Sequence, residues 1–130
     1  MKRTNVSSGT VWETEVGYSR AVRTGPFVFV TGTVAADETG TVTSPGDAYE
    51  QTLQAIDKVA AALARVGAGV EDIVRTRIYI TDMADAADVG RAHKRKLGHV
   101  MPATTMVAVA GLWGEGSVVE IEADAVVGDQ

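Results

Sequence analysis

Two carboxylates, Glu120 and Glu122, stand in the stretch Val118-Val119-Glu120-Ile121-Glu122-Ala123-Asp124, where apolar and acidic residues alternate. Alternation at period two is the signature of a strand with one buried face, and it places Glu120, Glu122 and Asp124 together on the other face. Side chains two residues apart on a strand lie roughly 7 Å apart. Carboxylates so placed can divide acid and base work if their surroundings pull their pKa values apart. They can also be solvated, or paired with Arg75 and Arg77 on a neighbouring strand. Strand pattern alone favours this second reading.

Other residue types are less eloquent. His93 and His99 are six apart with no HExxH and no ligand-like spacing, so no metal site is expected. No Gly-x-Ser-x-Gly elbow supports a serine nucleophile. No Gly-x-Gly-x-x-Gly or P-loop is present, so no nucleotide cofactor is expected, and no other cofactor is indicated. The absence of cysteine excludes disulfides, thiol catalysis and thiolate metal sites. Two short stretches, Gly17-Tyr18-Ser19-Arg20-Ala21 and Val30-Thr31-Gly32-Thr33, put glycines beside polar groups at strand ends. Glycine lets a backbone approach a ligand closely, and tyrosine offers a hydroxyl on a rigid ring. A strand bulge is the plainer explanation of Gly32.

The elements that must position these groups are legible. Ala21 to Ala35 reads as a hairpin turning at Thr24-Gly25-Pro26, with Phe27-Val28-Phe29-Val30 as a strand. Glu38-Thr39-Gly40 is a further turn, after which Val42 can begin a short strand. Asp47 is placed to cap a helix, with Glu50 at the spacing of a capping box. Leu53, Ile56, Val59, Ala60, Leu63 and Val66 recur every three or four residues, and Gly67 suits the helix's C′ position. Ile73–Thr81 reads as a strand with Val74, Thr76, Ile78 and Ile80 on one face and Arg75, Arg77 and Tyr79 on the other. A second helix, capped by Asp82 or Asp85, runs to Leu97 and Gly98. Strands are expected over Thr105–Ala110 and Ser117–Val127. This order predicts an α+β domain with two helices on one face of a mixed sheet. The opposite face is left to Arg75, Arg77, Tyr79, Glu120, Glu122 and Asp124, either solvated or used in assembly.

The chain of 130 residues and 13.6 kDa matches a single domain, 1–130. The net charge of −5 argues against a general nucleic-acid surface. The basic run His93-Lys94-Arg95-Lys96 reads as a solvated helix face. No apolar run approaches the ~20 residues of a membrane helix, and the polar start MKRTNVSSGT lacks the apolar region of a signal peptide, so no membrane partner and a cytoplasmic location are expected.

Taken together, GYSRAV (17–22), FVFVTGTV (27–34), EQTLQAI (50–56), DIVRTRIYITDM (72–83), MPATT (101–105) and VVEIEADAVV (118–127) resemble the RidA/YjgF family of reactive-intermediate deaminases, also described as endoribonuclease L-PSP. The resemblance covers about residues 17–127. It implies a chorismate-mutase-like fold and a homotrimer with small-molecule clefts between subunits. It also implies cofactor-independent hydrolysis of enamines or imines derived from amino acids. The family's aromatic hydroxyl corresponds to Tyr18, though without the preceding proline. Its Ser-Gly-Gln backbone corresponds to Thr31-Gly32-Thr33, and its water-orienting glutamate to Glu120. The arginine expected after Pro-Ala is replaced by Thr104, and a common asparagine on the second helix by Gly90. Threonine cannot supply a charge-assisted bond to a substrate carboxylate, so 2-imino-acid deaminase activity is expected to be weak. Arg20 is a candidate replacement cation. A non-catalytic trimeric small-molecule-binding or regulatory protein is the alternative reading, and a ribonuclease or translation inhibitor the third.

Overall fold

The computed structural model describes residues 1–128. Six strands form one mixed sheet: β1 (Arg3–Val6), β2 (Ala21–Thr24), β3 (Phe27–Thr33), β4 (Ile73–Ile80), β5 (Ala103–Ala108) and β6 (Val119–Val126). Their order across the sheet is β1-β2-β3-β6-β4-β5, antiparallel throughout except for the parallel pair β4–β5. The helices are α1 (Val11–Val16), α2 (Ala48–Ala64) and α3 (Ala86–Leu97).

The chain's capping chemistry explains where α2 begins and ends. The Asp47 carboxylate accepts from the Glu50 backbone N–H at 3.0 Å. At the other end Ala68 N donates to Leu63 O and Gly67 N to Ala64 O, a Schellman pair with Gly67 in the left-handed region at φ 77°. Ile56, Val59 and Leu63 of α2 are buried against Val28, Val30, Ile78, Ile121 and Ala123 of the sheet. Small residues at Ala48, Ala55 and Ala62 are buried with them. Val89, Ala92 and Leu97 bury the inner face of α3. The core therefore lies on one side of the sheet, between it and α2 and α3.

The bare side is as the alternation requires. Arg75, Arg77 and Tyr79 of β4 stand opposite Asp124, Glu122 and Glu120 of β6. Phe27 and Phe29 of β3 also lie outside the core, 42% and 48% exposed.

Several expectations are corrected. Val74 does not share a face with Ile78. A one-residue bulge in β4 between Ile73 and Arg75 lets Ile73 take the buried position and leaves Val74 exposed. Of the two cap candidates, Asp82 caps a 3-10 turn that precedes α3, and Asp85 stands at the N-cap of α3 without a side-chain capping bond. β5 starts at Ala103, two residues before Thr105, because it registers with β4 from Arg75↔Ala103 onward. Val42 contributes an isolated bridge to Ala36 and no strand. The N-terminal segment supplies two elements that no sequence signal marks, edge strand β1 and the short α1. β1 escapes notice because the edge strand is polar and exposed along most of its length, so it carries no alternation.

Candidate functional site

β3 and β6 build the site between them. A bulge in β3 sets Val30 opposite Ala123 but Thr33 opposite Ile121. This extra residue turns Thr33 into the core, where it is 1% exposed, and brings Gly32 against Glu120. A Cβ placed on Gly32 would lie 2.0 Å from Glu120 Oε2. Gly32 thus lies in the bulge, and it is the point where backbone and carboxylate come close.

The three acidic residues of β6 have divergent fates. Asp124 pairs with Arg77 Nη1 at 3.1 Å. Glu122 lies 3.6 Å from the same guanidinium and accepts a hydrogen bond from the Tyr79 hydroxyl. That bond to a carboxylate raises the Tyr79 pKa above its ordinary value. The Glu120 carboxylate makes no hydrogen bond or ion pair among the described residues. Burial raises its pKa above the ordinary carboxyl value, and the charge of Glu122 adds to the rise, while Arg20 opposes it. One member of the pair is held by Arg77 and Tyr79, and the other has no bonded partner among the described residues.

Glu120 faces a pocket of about 570 Å³ shared with Tyr18, Arg20 and Gly32. Tyr18 follows α1, which ends at Gly17 in the left-handed region, φ 89°. Arg20 stacks over the Tyr18 ring at 5.8 Å and donates through Nη1 to Gly32 O at 3.1 Å and to the Thr33 hydroxyl at 3.3 Å. Thr33 in turn donates to Thr31 O at 2.8 Å. Arg20 is therefore a brace for the bulge as well as a pocket cation. Behind it stands Glu13, 5% exposed, 3.9 Å from Nη2. Burial tends to raise the Glu13 pKa, but hydrogen bonds from Ser8 and Ser7 and the charge of Arg20 outweigh it and hold the carboxyl below its ordinary value.

Four of the sequence-derived site residues, Tyr18, Arg20, Gly32 and Glu120, thus meet at one pocket, with Thr33 behind it. Thr104 lies elsewhere in the chain. It pairs with Thr76 across β4–β5, and its hydroxyl is 2.8 Å from the Thr76 hydroxyl, which is 2.9 Å from His93 Nε2. Burial lowers the His93 pKa below its ordinary value, which fits a neutral ring in a hydrogen-bonded row.

Sequence reasoning missed four residues of the site: Glu13, Lys58, Trp12 and Trp113. Lys58 lines the same pocket and donates to Val34 O at 3.2 Å and Ala36 O at 3.0 Å. The tryptophans line it too. They are the chain's only two, which was the one available signal. Among the described residues no group of three His, Cys, Asp or Glu side chains converges to hold a metal ion, and no helix is long and apolar enough to cross a membrane.

Comparison with known proteins shows the family and the fold. The family model described as Endoribonuclease L-PSP matches residues 10–127. The chain belongs to that family, which is also the RidA/YjgF family. A member of the YjgF/YER057c/UK114 family from Mycobacterium tuberculosis, known from its crystal structure, is 45% identical and superposes with a TM-score of 0.88, covering 97% of this chain and 100% of that one. An uncharacterized protein of Streptomyces coelicolor is 38% identical over 120 residues, 92% of this chain and 89% of its own. The 2-iminobutanoate/2-iminopropanoate deaminase of Mus musculus is 32% identical over 111 residues, 85% of this chain and 82% of its own. The family fold is accordingly the YjgF fold, and the mixed sheet with helices on one face is its architecture here.

The contact between Gly32 and Glu120 yields a prediction. Gly32 has an ordinary negative φ, so alanine suits its backbone, and the clashing atom is the end of a flexible side chain. Gly32→Ala is expected to fold with a Tm close to the parent while displacing the Glu120 carboxylate and lowering site function at least tenfold, an effect of about 1.4 kcal/mol. Thermal melting measured beside turnover checks both halves.

Proposed function

We propose that this protein is a cofactor-independent hydrolase of an enamine- or imine-like metabolite, with Glu120 as its general base and acid. The observation that carries this reading is the Glu120 carboxylate: partly buried, facing a pocket, raised in pKa and without a protein partner. A carboxylate in that state costs stability, and groups so perturbed cluster at functional sites. The names of its imine-deaminating relatives support the reaction class. In the proposed reaction Glu120 takes a proton from water as the oxygen bonds to the carbon of a protonated imine, giving a neutral carbinolamine. Glu120 then returns that proton to the nitrogen, the C–N bond breaks to release ammonia, and the hydroxyl proton passes to that ammonia as the carbonyl forms. Tyr18 and Arg20 shape the pocket around the reacting centre.

The protein is proposed to act as a homotrimer. Support comes from the bare sheet face, where Arg77, Glu122, Asp124 and Tyr79 largely satisfy one another beside exposed Phe27 and Phe29. A self-satisfied polar network rimmed by apolar rings suits an interface. Thr104, on the edge strand β5, is proposed to border a cleft completed by the next subunit. Light scattering with size-exclusion chromatography tests the trimer, and a monomer at micromolar concentration would reject it.

The hydroxyl at Thr104 cannot anchor a carboxylate as a guanidinium can. Turnover of the small imines derived from serine and threonine is therefore proposed to be weak. Thr104→Arg is expected to tighten binding of 2-oxo acids such as 2-oxobutanoate by about 10- to 150-fold, the worth of one hydrogen bond to a charged group. Calorimetric titration checks it, and unchanged affinity would sink the anchor argument. Threonine at position 104, where the family resemblance implies arginine, favours a second reading, a trimeric binding or regulatory protein without turnover. A ribonuclease reading, suggested by the family's description, has the net charge of −5 against it.

A further inference from the structure

Trp12 of α1 and Trp113 of the β5–β6 loop meet edge to face at the pocket, with ring centroids 5.0 Å apart and planes at 74°. Neither is buried: Trp12 is 38% and Trp113 72% exposed. Large aromatic rings usually seek the core, so two exposed indoles gathered at one cavity mark a recognition surface. The edge-to-face arrangement is favourable in itself and leaves indole faces open to a third ring.

The loop carrying Trp113 is braced. Gly116 O accepts from Gly46 N at 3.0 Å and from Gln51 Nε2 at 2.8 Å, and Val118 N donates to Gln51 Oε1 at 3.0 Å. A Cβ on Gly114 would meet Val42 Cγ2 at 3.1 Å, and one on Gly116 would meet Pro45 Cβ at 2.8 Å. The indole is presented from a fixed loop, as a binding wall requires.

The cavity is also large for a short-chain ligand. Its volume of about 570 Å³ equals roughly 19 waters at ~30 Å³ each, whereas a four-carbon imino acid has about seven non-hydrogen atoms. The walls of the cavity also include apolar Val16, Val34 and Val42.

We propose that Trp12 and Trp113 form a stacking wall that selects a ligand bearing a flat unsaturated ring, whose polar end reaches Glu120 and Arg20. The substrate class is then an aromatic or heteroaromatic imine or enamine. This rests on the pocket being a substrate site and names what the site takes.

Calorimetry with two stable carbonyl mimics tests it, phenylpyruvate for the ring-bearing class and pyruvate for the short-chain class. The parent is expected to bind phenylpyruvate at least about tenfold more tightly than pyruvate. Trp113→Ala and Trp12→Ala are expected to weaken phenylpyruvate about tenfold and pyruvate less than about twofold, with Trp113→Phe restoring most of the difference. Equal affinity for the two mimics, binding of neither, or an equal loss of both in the alanine variants would overturn the proposal. Turnover by the parent, measured beside the titrations, keeps the two ideas apart. Ring selectivity with no turnover of any imine would defeat the hydrolase and leave the stacking wall standing, whereas turnover of small imines without ring selectivity would do the reverse.

Discussion

Glu120→Gln is expected to lower imine turnover by about 10²- to 10⁴-fold, the usual worth of general acid–base catalysis, while leaving a folded protein of higher Tm at neutral pH. The two outcomes share one cause. The Glu120 pKa is raised, first by burial and then by Glu122, so the charged form is disfavoured in the folded state. The contribution of a group with a raised pKa is full below its unfolded value and is lost as pH rises through the folded value. Near pH 7 the carboxylate is therefore a liability that a neutral amide of the same shape removes. Below roughly pH 4, where free glutamate also holds its proton, the parent and the variant are expected to melt together. Turnover that needs the base form should rise with pH through the same raised pKa and level off above it. Thermal melts across pH beside a pH–rate profile test both limbs. A variant less stable than the parent at pH 7 would show that the carboxylate has a structural partner.

The second large effect is on stability. Gln51 is completely buried on α2 and ties together three pieces of chain. Its Nε2 donates to Ser44 O at 2.9 Å and Gly116 O at 2.8 Å, and its Oε1 accepts from Val118 N at 3.0 Å. In Gln51→Leu the two carbonyls keep other donors, Asp47 N and Gly46 N. The Val118 N–H has no such substitute. An orphaned buried N–H, together with the lost amide bonds, costs about 2–4 kcal/mol. For a domain of this size that is a fall of roughly 10 °C in Tm. Val118 leads into β6 and the Trp113 loop ends beside it, so the variant is also expected to lose site function well below its melting temperature. Gln51→Glu keeps the acceptor for Val118 N but loses both Nε2 bonds and sets a buried carboxyl oxygen against the Ser44 and Gly116 carbonyls, so it is expected to destabilise as well. Melting within a degree or two of the parent would show that the two loops are held by other contacts.

The sequence makes the sheet's polarity readable before any coordinates. Strict alternation in Val119–Asp124 fixes the two faces of β6, and the same argument succeeds over most of β4. It fails at Val74 because a bulge adds a residue that hydropathy cannot reveal. The bulge at Gly32 was foreseeable as a possibility from the glycine alone, but its consequence, a carboxylate against the backbone, needed the β3–β6 register. Pattern alone also gave Glu120 and Glu122 the same reading. The difference between them comes from Arg77 and Tyr79 on β4, which satisfy Glu122 and pass Glu120 by. Helix α2 was legible in full because its caps and its apolar face agree. The N-terminal elements were not, since an exposed edge strand leaves no periodic trace. Trp12 and Trp113 lie on separate segments, and only the folded chain brings them to the same pocket as Tyr18 and Arg20. The match to residues 10–127 of the chain fixes the family, while the chemistry still rests on one carboxylate.

The most direct test is to generate a panel of imines in situ by oxidising amino acids and to follow their disappearance with and without the protein by trapping the remaining imine with semicarbazide. The account predicts that the parent accelerates loss of at least one imine, with stoichiometric release of ammonia, and that Glu120→Gln at the same concentration does not. Equal acceleration by parent and variant, or no acceleration of any imine by the parent, would contradict it.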